Sequence, residues 1–379
     1  MKLSKEMGAT VYVLSLSLLG LMSAGCSSPD TTSGLTPSPG STSTVTSNPT
    51  PTPSSSPTSP PVSLTTGNVF MATGNTPFAV LEYAAPYSNG PVATITDGIG
   101  EPVAIAFDSS GDLFVANYGD GSNNVTEYAS GSTTVLATFT DGVDGPTSLA
   151  VDASNNLFVG NSANGTVTEY APGSTTPSRT ISGIYYNNNS NSICTDPSGN
   201  LFASNADTVS VFAPGSTTAT KTINLGGVLD PASSLACDGF GNLFVSTQFS
   251  GIGGPTMDIA KFSPGSAGGS PTTYLSGVAQ YPWVINLDPA GALLAVLGGA
   301  GPTQTQINEY APGSASLNVT LYGSLTTFRD PKSLTMDSSG NLLVGDWVSG
   351  SVYVYPTGAT TPSLTIAAGS YPVDMKVSP

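Results

Sequence analysis

The stretch Asn156-Leu157-Phe158-Val159 constrains this chain most, because it returns in recognisable form six more times. The other copies begin at Asn68, Asp112, Asn200, Asn242, Ala292 and Asn341. A full unit reads Pro146 to Asp152, a three-residue gap, Asn156 to Asn161, then Thr166 to Tyr170, the turn Ala171-Pro172-Gly173-Ser174, and Ser178 to Ile181. That is four short apolar-rich stretches with turn residues between them. An aspartate marks the first turn at positions 108, 152, 196, 238, 288 and 337, so the period is 42 to 50 residues. Four strands per unit at a period near 45 predict the blade of an all-β propeller.

The character of each strand predicts its radial place. Strand one carries small residues (Ala104, Ala106, Ser148, Ala150, Ser234, Ala236), which suit the crowded axis. Strand two is apolar on both faces, as in Leu113-Phe114-Val115, which suits burial between neighbouring blades. Strand three alternates, as in Val125-Thr126-Glu127-Tyr128, and strand four is polar. In Asp196-Pro197-Ser198-Gly199-Asn200 the carboxylate can accept from the turn's backbone while Gly takes φ > 0. Ala-Pro-Gly-Ser at 171–174, 213–216 and 311–314 places Pro and Gly for a type II turn.

The repeat region, residues 67–379, opens on a strand two, at Gly67-Asn68-Val69-Phe70. Its last stretch, Tyr371-Pro372-Val373-Asp374-Met375-Lys376-Val377, matches strand one of the unit that begins at Glu101-Pro102. Seven copies of strand two, with this stretch completing the first unit, predict seven four-stranded antiparallel blades closed by the C-terminal strand.

The N-terminal part reads as an address. Lys2 and Lys5 precede an apolar run from Ala9 to Met22, too short for a membrane span and suited to a signal peptide over residues 1–25. Ser23-Ala24-Gly25-Cys26 resembles the bacterial lipobox, with Ser23 where that motif usually has Leu. The resemblance implies cleavage before Cys26 and diacylation of its sulfur, hence a lipid-anchored protein of the bacterial envelope, at the outer membrane or cell surface. An ordinary signal peptide cut nearby is the alternative. In residues 27–66, 32 of the 40 are Ser, Thr or Pro, a composition that stays extended. Such a linker could hold the repeat domain on the order of 100 Å from a membrane.

Without residues 1–25 the chain keeps six basic residues against 23 acidic ones, a net charge of −17, which disfavours nucleic acid as a partner. Histidine is absent, so Ser-His-Asp and Cys-His catalysis and His-ligated zinc are excluded. No phosphate-binding Gly-rich loop occurs. Cys194 and Cys237 lie near the ends of equivalent strands in neighbouring units. An exported compartment permits a disulfide between them, and burial as two small apolar side chains is the alternative.

The units that run Pro-x-x-x-Ala-x-Asp-x-x-Gly-Asn-Leu-Phe-Val-x-Asn resemble the NHL-repeat propellers, and more loosely the virginiamycin B lyase and gluconolactonase-like propellers. The resemblance covers 67–379 and implies the fold. Where the NHL pattern has Asp after strand two and Arg before strand three, this chain has Asn117, Asn161 and Asn205, with Asp only at 346, and lacks the Arg. The absence of histidine removes the lyase chemistry that the looser likeness would imply.

Function is therefore expected on the loops that join strands two to three and four to one, which vary from unit to unit. They carry Asp97, Glu101, Asp120, Asp141, Asp144, Asp230, Asp330 and Asp346, with Tyr118, Tyr185, Tyr186, Phe249, Tyr281, Trp283 and Trp347. The ligand-binding candidates are Tyr118, Asp120, Tyr185, Tyr186, Asp230, Tyr281, Trp283, Asp330 and Trp347. They suit a protein, peptide or glycan ligand on a monomeric, non-catalytic binding module. The alternative is a Ca²⁺-dependent lactonase-like hydrolase at the axial mouth, with Glu101, Asp230 and Asp330 as metal ligands. The hairpin aspartates and the repeated Glu-Tyr pairs are expected to be structural, as turn caps and blade packing.

Overall fold

The computed structural model describes residues 67–119, 121–184, 192–205, 208–225, 232–247, 259–264, 272–275, 281–288, 290–298, 306–321 and 330–379, though on the strands the side chains of Tyr281 and Trp283, among a few others, are left out of the description. Asp120, Tyr185, Tyr186, Asp230 and Phe249 lie outside the described residues.

Seven four-stranded antiparallel sheets form a ring. Blade 1 contains β1 (Val69–Thr73), β2 (Ala79–Tyr83) and β3 (Ala93–Ile95). Blade 2 is β4 (Pro102–Phe107), β5 (Leu113–Asn117), β6 (Asn124–Tyr128) and β7 (Ala137–Phe139). Blade 3 is β8 (Pro146–Val151), β9 (Leu157–Asn161), β10 (Thr166–Tyr170) and β11 (Arg179–Ser182). Blade 4 is β12 (Ile193–Thr195), β13 (Leu201–Asn205), β14 (Thr208–Phe212) and β15 (Lys221–Asn224). Blade 5 is β16 (Ala232–Cys237), β17 (Leu243–Thr247), β18 (Ile259–Phe262) and β19 (Thr273–Tyr274). Blade 6 is β20 (Tyr281–Leu287), β21 (Leu293–Gly298), β22 (Gln306–Tyr310) and β23 (Leu317–Leu321). Blade 7 is β24 (Pro331–Met336), β25 (Leu342–Asp346), β26 (Ser351–Tyr355) and β27 (Leu364–Ala367). The last strand, β28 (Pro372–Val377), pairs with β1 and completes blade 1 as its innermost strand.

Each innermost strand touches the next around the ring, and β24 meets β28 where it closes. Every residue of β1, β5, β9 and β25 is buried, as expected for a strand sandwiched between blades. Burying one such Phe or Leu side chain contributes about 1.5–3 kcal/mol. The strand-three tyrosines Tyr128, Tyr170, Tyr310 and Tyr355 are fully buried. Tyr128 packs among side chains of blade 1, and its hydroxyl donates to the Asp97 carbonyl. Tyr170 does the same to Asp141. The outermost strands β11, β15 and β27 each bury their third residue, leave the first half-buried and expose the second and fourth.

The hairpin aspartates cap turns. Asp196 Oδ1 accepts the N–H groups of Ser198 (2.9 Å) and Asn200 (2.9 Å), and its Oδ2 accepts Asn200 Nδ2 (2.8 Å). Asp152, Asp238 and Asp337 repeat this arrangement. The fourth turn residue takes positive φ, 77° at Gly199, which a Cβ would resist. Blade 3 places Asn155 there at 62°, a residue that tolerates this region.

Side chains lock neighbouring blades together. The Arg179 guanidinium pairs with Glu169 in its own blade and reaches the Ala213 and Ser216 carbonyls in blade 4. Lys261 reaches the Gly313 carbonyl of blade 6 from blade 5. Tyr87 donates to Asp337 Oδ2 (2.6 Å), joining blade 1 to blade 7. A disulfide joins Cys194 to Cys237, tying the innermost strands of blades 4 and 5 with Cα atoms 5.8 Å apart.

Candidate functional site

One local design recurs at the mouth on the variable-loop face. Strand two ends in a buried Asn or Asp whose side chain holds the incoming four-to-one loop. Asn117 Oδ1 accepts from Gly100 N–H (3.0 Å), Asn161 Oδ1 from Asp144 N–H (3.0 Å), and Asp346 Oδ1 from Asp330 N–H (3.0 Å). All three side chains are fully buried, so these groups serve the scaffold.

The next residue's N–H then donates to the carbonyl of the residue before the innermost strand. The pairs are Tyr118 to Glu101 (2.8 Å), Ser162 to Gly145 (2.8 Å), Trp347 to Asp330 (2.9 Å) and Gly74 to Tyr371 (2.8 Å). The backbone is constant at these four blades and the side chains differ, so each of the four presents a different pair of groups. The register also shifts in the innermost strand, between Pro102 and Ala104, Pro146 and Ser148, and Pro331 and Ser333. Such a bulge re-aims one extra side chain. The residues so inserted, Val103, Thr147 and Lys332, line the channel mouth.

Two of the sequence-derived candidates, Asp330 and Trp347, come together at the seam between blades 7 and 1. The Trp347 indole stacks on Tyr371, with centroids 4.8 Å apart and planes 12° apart. Asp330 Oδ1 lies 3.1 Å from Lys332 Nζ. Gly74 underlies the stack: a Cβ there would meet Val373 Cγ1 at 2.6 Å and Trp347 Cζ3 at 3.5 Å. In blade 2, Tyr118 is 41% exposed and the Glu101 carboxylate lies against Gly119, whose φ of 136° would strain any side chain placed there. Asp97 is engaged outside the mouth, its Oδ2 accepting Val135 N–H (3.0 Å). Tyr281 and Trp283 lie on β20, where Tyr281 pairs with Gly298 and Trp283 falls at the register shift between Pro282 and Val284.

Below the mouth runs an axial channel of about 310 Å³ walled by the innermost strands. Most of its wall is small or apolar, but blade 1 contributes Asp374 and Lys376 and blade 7 contributes Lys332. Asp374 Oδ2 accepts Ile105 N–H of blade 2 (2.9 Å), and its Oδ1 accepts Met375 N–H (2.9 Å). Burial raises its carboxyl pKa, opposed by the Lys376 charge and these two hydrogen bonds. The hydroxyl of Ser333 lies beside Gly345, against Pro372 of blade 1.

Of the three carboxylates assigned to calcium, Glu101 stands in blade 2 and Asp330 in blade 7, on either side of blade 1, and Asp330 is held by Lys332. Among the described residues no three His, Cys, Asp or Glu side chains form a metal-binding group. The sequence reading missed Tyr371, Lys332 and Asp374. Tyr371 occupies the same pre-proline position as Glu101 and Asp330, and Asp374 is the charged member of a position held elsewhere by Ala104, Ser148, Ser192, Ser234, Val284 and Ser333. Both signals lie in the repeat alignment. No protein-family model matches the chain, and no curated protein matches it.

Proposed function

We propose that this protein is a non-catalytic binding module, exported and tethered to the bacterial envelope, that takes a glycan or peptide ligand on the loop face of its propeller. The stacked Trp347–Tyr371 pair beside the Asp330–Lys332 ion pair carries the reading. Aromatic faces next to fixed polar groups are how sugars and extended peptides are held. The constant backbone beneath them supplies the rigidity that binding needs. Export is supported by the apolar run before Cys26 and by the Cys194–Cys237 bond, which suits an oxidising compartment. The Ser/Thr/Pro-rich segment then acts as a stalk.

The test is a screen of soluble oligosaccharides and peptides followed by tryptophan fluorescence, then titration of the best ligand into Trp347→Ala and Tyr371→Ala. Each change should weaken binding about tenfold or more. A ligand whose affinity survives both changes overturns the placement. For the anchor, labelled palmitate should enter the wild type, and the Cys26→Ser variant should be released in soluble form. The hydrolase reading comes second, because Asp330 already has a cationic partner. A calcium-dependent rise in melting temperature that Glu101→Gln and Asp330→Asn both abolish would bring it forward.

A further inference from the structure

Grooves between neighbouring blades open beside the hairpin turns, on the face opposite the loops, and the repeat allows one groove to be compared with the next. Between blades 3 and 4 the groove holds a guanidinium. Arg179 stands opposite Glu169 in the strand register and donates to its carboxylate. It also donates to the Ala213 and Ser216 carbonyls of the next blade's turn, and its Cζ lies 5.8 Å from the centre of the Phe158 ring.

One blade earlier, the same cradle lacks its cation. Glu127 stands where Glu169 stands, Phe114 where Phe158 stands, and Ala171-Pro172-Gly173 where the blade 4 turn stands. The residue opposite Glu127 is Ala137, and these groups line a groove of about 330 Å³. Blades 4 and 5 carry their own cations there, with Lys221 at the Arg179 position, lining a groove of about 360 Å³, and Lys261 at the Glu169 position. The other strand-three glutamates have donors: Asn68 for Glu82, Arg179 for Glu169 and Asn318 for Glu309. Among the described residues none donates to the Glu127 carboxylate.

Two further differences point the same way. Asp112 replaces the asparagine found at 156, 200, 242 and 341, so a second carboxylate joins Asp108 in the groove. Leu136, 60% exposed, stands where blade 3 has Ser178. Burial, then the charges of Asp112 and Asp108, raise the Glu127 carboxyl pKa, as expected for an acid without a counter-charge. The floor is aromatic: Phe139 meets Phe114 and Tyr170 edge to face, at 6.1 and 5.0 Å.

We propose that the groove between blades 2 and 3 receives an arginine side chain of a partner protein, seated as Arg179 is seated one blade on. Glu127 takes the guanidinium, the Phe114 face lies against it, and the Ala171 carbonyl completes the cradle. Leu136 covers the aliphatic stem or an apolar neighbour. A guanidinium fits better than an ammonium, because its planar fork serves carboxylate and carbonyl while its face packs on the ring. The negative charge of the domain draws a basic partner toward it.

The probe is acetyl-Gly-Arg-Leu-Gly-amide, titrated into the full-length protein at low salt and followed by the Leu136 methyl resonances. The citrulline and lysine versions of the peptide serve as comparisons. The arginine peptide should shift Leu136 and bind at least about fivefold more tightly than either comparison. Glu127→Gln should weaken it about tenfold. Ala137→Arg should plug the groove with its own guanidinium and abolish the shift, whereas Trp347→Ala should leave it unchanged. Equal binding of citrulline or lysine peptide, unchanged binding by Ala137→Arg or Glu127→Gln, or no shift up to about 10 mM peptide overturns the proposal. If Ala137→Arg does not fold, the citrulline comparison and Glu127→Gln still decide.

Discussion

Cys194 and Cys237 are bonded across the seam between blades 4 and 5 although they occupy strand positions one residue out of step. The offset is what lets them meet. Side chains alternate along an innermost strand, one toward the preceding blade and the next toward the following one. Thr195 Oγ1 donates back to the Val151 carbonyl of blade 3 (3.1 Å), so Cys194, one residue earlier, faces blade 5. Ala236 packs with blade 6, so Cys237 faces blade 4. Two cysteines at the same position would point the same way round the ring.

This bond spans 43 residues of sequence, and the loop-entropy relation gives it about 3–4 kcal/mol. Reduced protein, or Cys194→Ala with Cys237→Ala, should unfold at lower urea than the oxidised form by that amount. Coincident unfolding curves would show that the ring does not draw on it.

Arg179→Ala should cost about 2–4 kcal/mol, since it strips a largely buried Glu169 carboxylate of its partner and two blade 4 carbonyls of their donor. Arg179→Lys should recover part of that, because it restores charge without the fork. In a double-mutant cycle, Glu169→Ala added to Arg179→Ala should cost less than the sum of the single changes. Strict additivity would sink the assignment.

Tyr87→Phe removes one donor from Asp337, which is buried and keeps only its turn bonds. A loss of about 1–3 kcal/mol is expected in urea unfolding. The phenol pKa is raised well above its ordinary value, by burial first and then by its hydrogen bond to Asp337 and that group's charge. Tyr87 therefore stays a donor through mildly alkaline pH, and the wild-type advantage should persist to about pH 10. An advantage that disappears by pH 9 would contradict this.

Glu127 sets a pH dependence of defined sign. Its folded pKa is raised from the ordinary 4.5, so the folded state holds this proton more tightly than the unfolded chain. Stability from this group is greatest below the unfolded value and falls as pH rises from there through the folded value. Glu127→Gln removes the penalty. Its melting temperature should exceed the wild type's at pH 7–8, with the gap closing toward about pH 4. Because Asp288 and Asp374 are shifted in the same direction, the difference between the two proteins is the quantity to follow. A gap that does not change with pH would refute the assignment.

Blade number was legible because the unit occurs seven times, and radial order and turn chemistry because each is written within one repeat: Asp196 and Asn200 are four residues apart, and the Ala-Pro-Gly-Ser turn closes on itself. What lay hidden was written between repeats. Arg179 finds carbonyls 34 and 37 residues away, which no local pattern announces. The pre-proline position of Tyr371 is written in the repeat, but its stacking on Trp347 follows only from blades 7 and 1 being neighbours. The cysteine offset was present in the sequence all along, but its meaning needs the facing of each strand.

The pairing of β28 with β1 has a kinetic side. Asn68 and Ser378 are joined across 310 residues, by Asn68 N–H to Ser378 Oγ (3.0 Å) and Ser378 N–H to the Asn68 carbonyl. Loop-closure entropy grows only as the logarithm of length, so the thermodynamic cost of so distant a contact is modest. The kinetic cost is larger, because pairings so distant in sequence form slowly. Until then β1 shows an unpaired edge, and a chain in that state is open to strand exchange with its neighbours.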